Sequence, residues 1–541
     1  MSTSEVADER RTAGDAHPEP RKLPLRVGFV GELGRSWLGS GEGDVAVEPR
    51  PEGAGQSGAA ALDVVVIDPQ PAGLDREAVA RLAEEGRVAG ARVVGIAAGT
   101  ADEPVWRGLV DLRVGHDPGA TDSAPLLAAP PAFDPLELNP LAFATDDVAG
   151  LAVVQAEAGA DVRAALEGVA GLAAEDEPII LYPPRGANVL ALSPGASVSD
   201  RRPRAPGPLG RALQAHLGAV DHPSLHGDAL SRAGALVRLA AAGVPVVAID
   251  LSEEVEELLG AELSGALRRA TLADLVDLDQ RERVSAAQRR PAHREHSFSA
   301  RRRAIAAALG IEVAPRSLVS VVLAIRRESW LEHGVAQITR QNYRPRELIV
   351  VLHGDGFSDR VERDLRSWWD GALRIVPADS ELTLGDVLNA GVEAATGEYL
   401  TKMDDDDYYS VDHLWDLALA LEYSDADLVG KAAEFVYLEE IDVTVRQLTA
   451  AVETRLAGGG MMARRAALTA VGAWPSLPRN EDRALVARFE EAGRRVRRIP
   501  PHGYILNRHG QDHTWRPYID YFLFRSGRQW RGLRFDQTGI A

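Results

Sequence analysis

The run Asp404-Asp405-Asp406-Asp407 is the part of the sequence whose residue types and spacing most invite chemistry. Four adjacent carboxylates repel one another, so a compensating cation is expected. A hard divalent ion with oxygen ligands is the natural candidate. The chain has no cysteine, so any metal must be held by Asp, Glu or His. The bland alternative is a solvated acidic turn. Other groups with chemical potential are the pair Glu481-Asp482 and the histidines His502, His509 and His513. Acids at a helix N-terminus are favoured by the helix dipole alone, so Glu481 and Asp482 also have a purely structural reading. Lysine occurs only at positions 22, 402 and 431. Lys402, two residues before the acidic run, is read as a strand-edge charge in preference to a phosphate ligand.

The elements around the run would put it at a strand end. Gly397 to Met403 reads as a strand entered from a turn, and Ser410 is placed to cap a following helix that buries Leu414, Leu417 and Leu421. Upstream, a strand over Leu318–Ile325, a helix over Trp330–Arg340 (Leu331, Val335 and Ile338 apolar) and a strand over Leu348–Leu352 form a β–α–β unit. Ligands bind at strand ends in such sheets.

These features sit in a chain of 541 residues, 45% hydrophobic and 26% charged, too long for one core. Residues 1–22 are polar and expected to be a disordered tail. Alternating strands and helices (Leu25–Val30, Leu62–Ile67, Val93–Ile96) predict a Rossmann-like lobe over 23–190. A helix over Ser231–Ala242 and a strand over Val244–Ile249 predict a second lobe over 191–312, with an Arg-rich helical connector at 278–308. The last domain spans 313–541. A net charge of −20 argues against nucleic acid as a partner. No apolar run is long enough to span a membrane, and no export signal is evident, so cytoplasmic residence is the default, including at the inner face of the membrane. Tyr518 to Phe524, followed by Arg525, Arg528 and Arg531, has the composition of a peripheral membrane contact, although ordinary packing is the simpler account.

The order of features in the last domain resembles the family 2 glycosyltransferases of GT-A fold. Ser320 to Ala324 and Glu347 to Val351 resemble the family's opening. Leu388-Asn389-Ala390-Gly391 and Ala394 to Leu400 resemble the segment that runs into its Asp-x-Asp motif. Gly458-Gly459-Gly460-Met461 is similar to the acceptor-side glycine segment, and Asn480-Glu481-Asp482 to the Glu-Asp motif. The resemblance implies transfer of a sugar from a nucleoside-diphosphate donor, with a UDP-sugar as default, to a hydroxyl of a glycan or lipid-linked acceptor in cell-envelope biogenesis. It implies inversion, and a divalent ion, Mn²⁺ or Mg²⁺, held by Asp404 and Asp406 with His509 or His513 nearby. Asp482 would be the general base beside Glu481. Asp404, Asp405, Asp406, Asn389, Ala324 and Arg326 would face the donor; Gly459, Gly460 and Asp407 would face the acceptor. The sequence departs from the family after the second strand, where Leu352 and His353 stand in place of the expected acids and Asp355 is displaced. The two preceding lobes more weakly resemble GT-B-like proteins of the spore-maturation type, through Leu236–Ile249 and Arg281–Arg303 with His296. Arg238 stands where an acid would contact donor ribose, so this half reads as a degenerate module for acceptor binding or assembly, with a second active transferase as the alternative. Two readings compete for the whole: a sugar nucleotidyltransferase, which lacks its Gly-rich loop at Ala324 to Glu328, and a catalytically inactive glycan-binding scaffold, which would have no need of Asp404, Asp406 and Asp482.

Overall fold

The computed structural model describes residues 25–30, 33–38, 44–46, 62–69, 76–98, 104–116, 124–135, 138, 151–154, 179–182, 196–198, 216–313, 315–447, 456–477, 479–509 and 518–539. The expected disordered tail and His513 lie outside these residues.

Two parallel sheets precede the last domain. The first contains β1 (Val27–Val30), β2 (Val45–Ala46), β3 (Val64–Ile67), β4 (Arg92–Ala98), β5 (Leu112–His116) and β6 (Leu126–Ala128), in the order β2-β1-β3-β4-β5-β6. The second contains β7 (Leu151–Val154), β8 (Ile179–Tyr182), β9 (Ala196–Val198), β10 (Gly218–Asp221) and β11 (Val246–Ala248), in the order β11-β10-β7-β8-β9. The boundary expected between residues 190 and 191 is therefore displaced. β7 pairs with β10 across it, so β7 and β8 belong to the second lobe. The sequence hides this because residues 151–198 carry only short apolar runs.

Helices α1 (Leu33–Leu38) and α2 (Arg76–Val88) belong to the first lobe, and α3 (Ala229–Ala241), α4 (Glu253–Arg269) and α5 (Leu272–Val276) to the second. The Arg-rich connector is helical, as α6 (Leu278–His296) and α7 (Phe298–Ala308). The chain returns to the first lobe through α7, where Arg302 bonds Asp44 and the carbonyl of Leu38, and Arg301 bonds the carbonyl of Pro130.

The last domain starts with β12 (Val319–Ile325), α8 (Leu331–Thr339), β13 (Arg346–His353), α9 (Val361–Trp368), β14 (Leu373–Ala378), α10 (Leu384–Ala394), β15 (Tyr399–Lys402), β16 (Tyr408–Tyr409) and α11 (His413–Ser424). It continues with β17 (Leu428–Lys431), β18 (Phe435–Leu438), β19 (Val443–Gln447), β20 (Met461–Arg464), α12 (Arg465–Ala470), α13 (Glu481–Glu491), β21 (Val496–Ile499), β22 (Tyr504–Arg508), α14 (Ile519–Phe524) and β23 (Ser526–Arg531). The main sheet has the order β14-β13-β12-β15-β20-β17-β21, parallel except at β20. A smaller sheet, β16-β22-β18-β19-β23, stands beside it.

The period-2 alternation of β12 explains the layers. Val319, Val321, Leu323 and Ile325 pack with Leu331, Val335 and Ile338 of α8 and with Leu414, Leu417 and Leu421 of α11. Val322 packs on the other face with Val387 and Leu388 of α10 and Leu485 and Phe489 of α13. A buried carboxylate ties the entry of β15. Glu347 accepts hydrogen bonds from Ser320 Oγ (2.6 Å), Thr396 N (2.7 Å), Thr396 Oγ1 (2.9 Å) and Gly397 N (3.2 Å). Burial opposes its charge, but these donors hold its carboxyl below the usual range. Gly397 has no alternative here, since a Cβ would lie 2.5 Å from the Leu318 carbonyl oxygen. Ser410 does not cap α11. The helix starts three residues later with Asp412 at its N-cap, and Ser410 Oγ is buried without a hydrogen-bond partner among the described residues.

Candidate functional site

β15 ends at Lys402, and the aspartates follow at the open end of the sheet beside β12. Lys402 is not the expected strand-edge charge. It is 5% exposed, and its Nζ lies 3.2 Å from Asp404 Oδ1 and 2.9 Å from Asp482 Oδ2. Burial works against its charge, but Asp404 and Asp482 push its pKa above the ordinary lysine value, so the side chain is a fixed ammonium. Asp482 lies in the first turn of α13, next to buried Glu481. Its Oδ1 accepts a hydrogen bond from Trp474 Nε1 (2.9 Å). The sheet end and α13 thus bring two acids, far apart in sequence, to one cation.

The glycine segment is the wall of this cluster. A Cβ on Gly458 would fall 1.9 Å from Asp482 Oδ2 and 2.8 Å from Lys402 Nζ. On Gly459 it would fall 2.6 Å from Tyr409 Oη and 2.9 Å from Asp404 Oδ2. Gly460 packs on the backbone of Lys431, away from the carboxylates. The carboxylates approach the backbone closely because Gly458 and Gly459 put no side chain in their way.

The four aspartates separate into distinct surroundings. Asp404 is the most open, with its side chain 34% exposed, and its backbone N–H donates to Tyr409 Oη (2.8 Å). Burial and the neighbouring acids raise its pKa against the pull of Lys402. Asp406 Oδ2 lies 3.0 Å from His509 Nε2 and 3.5 Å from Arg327 Nη2. Asp405 is 3.9 Å from Arg327 Nη2. Asp407 is turned inward rather than toward an acceptor: it is buried and accepts from Tyr504 Oη (2.7 Å) and Asn507 N (2.8 Å). Its pKa is raised well above the usual range, by burial first and then by Asp406.

Asn389 is also placed differently from the donor contact expected of it. Its Nδ2 donates to the Trp474 carbonyl (2.8 Å) and its Oδ1 accepts from Trp474 N (3.0 Å). It therefore steadies the tryptophan that holds Asp482. Ala324 is half-buried against the α10 side of the sheet. Arg326 is exposed, and its neighbour Arg327 is the arginine that turns to the aspartates. His353 ends β13 buried, and burial and then Arg326 lower its pKa, so the ring is neutral at pH 7. His502 is buried under α6, with Nδ1 3.7 Å from Glu282.

Several contributors carried no distinct sequence signal. Trp330 stacks on His509 with ring centroids 4.9 Å apart. His333 Nε2 lies 3.0 Å from the Asp407 carbonyl. Trp474 sits eight residues before Asp482, a spacing that means nothing until Ala473 and Asn480, both at positive φ, turn the chain back.

The site also has a pH signature. Burial, then Asp406, raises the Asp405 pKa to about 7, against about 3.9 in an unfolded chain. A carboxyl with a raised folded-state pKa contributes stability below the unfolded value, and that contribution is lost as pH rises through the folded one. Asp405 is therefore expected to contribute a fall in melting temperature between pH 4 and about 7, a component of the pH profile that Asp405→Asn removes. Calorimetric melts across the range, compared between the two proteins, check this; parallel slopes would remove Asp405 from the account.

Residues 320–455 match the family model described as Glycosyl transferase family 2. The match lies within the last domain, which carries this family 2 glycosyltransferase segment. Its sheet, parallel from β14 to β15 with β20 antiparallel, is of the GT-A kind. Solved structures similar to the family 2 domain include S. aureus TarS residues 1–349 in complex with UDP-GlcNAc, at 17% identity and TM-score 0.31, covering 37% of this chain and 61% of that one. The mannosyltransferase PcManGT from Pyrobaculum calidifontis, in complex with GDP-Man and Mn²⁺, is 19% identical with a TM-score of 0.29, covering 36% and 57%. The chain thus spans less than two thirds of the length of either. No curated protein matches the chain.

Proposed function

We propose that the family 2 domain transfers a glycosyl group from a nucleoside-diphosphate sugar to an acceptor hydroxyl, with inversion. The observation that carries this reading is the pairing of Asp404 and Asp482 across Lys402. One acid belongs to the strand end where a donor diphosphate would lie, the other to the helix that faces it. In the reaction the acceptor oxygen forms the new bond to the anomeric carbon while the bond to the diphosphate oxygen breaks. Asp482 takes the acceptor proton. Trp474 fixes one of its oxygens and the Lys402 ammonium faces the other. Arg327 Nη2 lies 3.9 Å from Asp405 and 3.5 Å from Asp406, and its guanidinium suits a diphosphate.

The donor atoms fit a hard divalent ion in kind. Asp404, Asp406 and His509 would hold it, although among the described residues no three His, Asp or Glu side chains are already gathered around one point. Such an ion, Mn²⁺ or Mg²⁺, would neutralise charge developing on the leaving diphosphate. We read the two preceding lobes as a degenerate GT-B-like module that binds the acceptor or assembles with it. The acceptor is proposed to be a glycan or lipid-linked saccharide of the cell envelope. Among the described residues no helix is long and apolar enough to cross a membrane. Tyr518 and Phe524 at the ends of α14 are each 88% exposed, with Arg525 beside them, a composition suited to touching a lipid surface.

Titrating the full chain calorimetrically with UDP-, GDP- and dTDP-sugars, each with Mn²⁺, tests the reading. Heat from at least one donor, with Asp404→Ala weakening it, is the expected result. If every donor is silent with and without metal, the glycan-binding scaffold takes its place.

A further inference from the structure

Helix α6 precedes the family 2 domain, and its two faces are committed to different lobes. On one, Gln288 pairs with both backbone groups of Val246 in β11, accepting from N (2.8 Å) and donating to O (2.7 Å). Ser285 Oγ donates to the Gly243 carbonyl (2.7 Å), and His293 Nε2 reaches the Ala241 carbonyl (2.9 Å). On the other, Arg290 forms a two-pronged bond to Asp416, Nε to Oδ1 at 2.6 Å and Nη2 to Oδ2 at 2.8 Å. Its Nη1 lies 3.6 Å from Asp412 Oδ2. Asp412 is the N-cap of α11 and Asp416 lies in its first turn, so one planar guanidinium grips the start of that helix.

The gripped turn continues to the acids. His413 packs edge-on against Tyr409 (ring centroids 4.8 Å) and lies 6.2 Å from Tyr504. Tyr409 Oη receives the Asp404 N–H, and Tyr504 Oη donates to Asp407. From the opposite side Gln341 of the loop after α8 bonds the Ser410 carbonyl and the Leu414 N–H. The acidic loop and the first turn of α11 are therefore held from two directions, and one hold comes from outside residues 320–455.

We infer that Arg290 is a positioning residue for the transferase site: through Asp412 and Asp416 it fixes the turn that carries Tyr409, and so sets the place of Asp404. In kinetic terms the inference rests on the proposed transferase reading; in structural terms it stands alone. Removing the guanidinium does not strand Asp416, because Lys431 Nζ also bonds it at 2.8 Å. Loss of fold is therefore not the expected outcome.

The test uses the full chain and three variants: Arg290→Met, Arg290→Lys and, as a second break between the same lobes, Arg528→Ala, which removes the pairs from Arg528 to Asp277 and Asp279. Hydrogen exchange should show amides of 404–416 opening about tenfold faster in Arg290→Met, less so in Arg290→Lys, and at the parent rate in Arg528→Ala. With a donor found by the calorimetric panel, Arg290→Met should lower kcat more than it raises the donor KM. Unchanged exchange in Arg290→Met, or equal acceleration in Arg528→Ala, would overturn the inference. The predicted exchange pattern in a protein that turns over no donor supports the inference and counts against the transferase reading instead.

Discussion

Asp482→Asn is expected to reduce glycosyl transfer by about 10³-fold, the scale of a lost general base, while donor binding stays near its parent value. The amide oxygen can still accept from Trp474 Nε1, which bonds Oδ1 at 2.9 Å. The amide nitrogen would then face the Lys402 ammonium, a donor against a donor, where Oδ2 now sits at 2.9 Å. Neither amide atom can take a proton from an acceptor hydroxyl at neutral pH. The loss therefore belongs to the chemical step and not to the donor complex. Asp404→Ala should behave differently, losing transfer and metal-dependent donor affinity together. Product formation alongside calorimetric donor titration separates the two. Parent turnover in Asp482→Asn would take the base role from this residue.

The second large effect is expected from Lys402→Met, which keeps the length of the side chain and removes its charge. Asp404, Asp482 and buried Glu481 then lose their shared cation. Removing one partner of a buried ion pair costs about 3–5 kcal/mol. Because Asp404 is 34% exposed and Asp482 21%, solvent should screen part of that, leaving about 2 kcal/mol. Transfer should fall as well, since the ammonium that sits 3.2 Å from Asp404 and 2.9 Å from Asp482 no longer holds the two carboxylates in place. Divalent ions should raise the melting temperature of Lys402→Met more than that of the parent, because an added cation replaces a missing one. Differential scanning calorimetry with and without Mn²⁺ reads both effects. An unshifted melt with parent activity would make Lys402 a bystander.

Much of the family 2 domain was legible in advance because its strands are apolar, short and spaced by strongly periodic helices. β12, α8 and β13 fall within two residues of the expected bounds. Gly397 and Gly458 to Gly460 could be read as sites of close approach, and the structure supplies the neighbours that require it. What could not be read was direction. Asp407 lies in the same acidic run as Asp404, yet it points into the sheet because Tyr504 and Asn507 of β22 wait there, a hundred residues away in sequence. Asn389 was legible as important but not as the support of Trp474. Lys402 looked like an edge charge because nothing local shows that α13 returns Asp482 to it. The division between the first two lobes was misplaced for a related reason: β7 finds its partner β10 across more than sixty residues, and no local pattern encodes that choice.

The outer strand of the smaller sheet carries a consequence for how the protein behaves at high concentration. β23 reads Ser526-Gly527-Arg528-Gln529-Trp530-Arg531 and pairs only through β19 among the described strands. An open strand edge is a template on which another molecule can add a strand. Here that edge is studded with Arg528 and Arg531, and Arg528 is drawn across to Asp277 and Asp279 of the preceding helical region. At the opposite edge β16 is two residues long, too short to guide a newcomer. Charge on one flank and brevity on the other discourage the sheet from growing beyond its own chain.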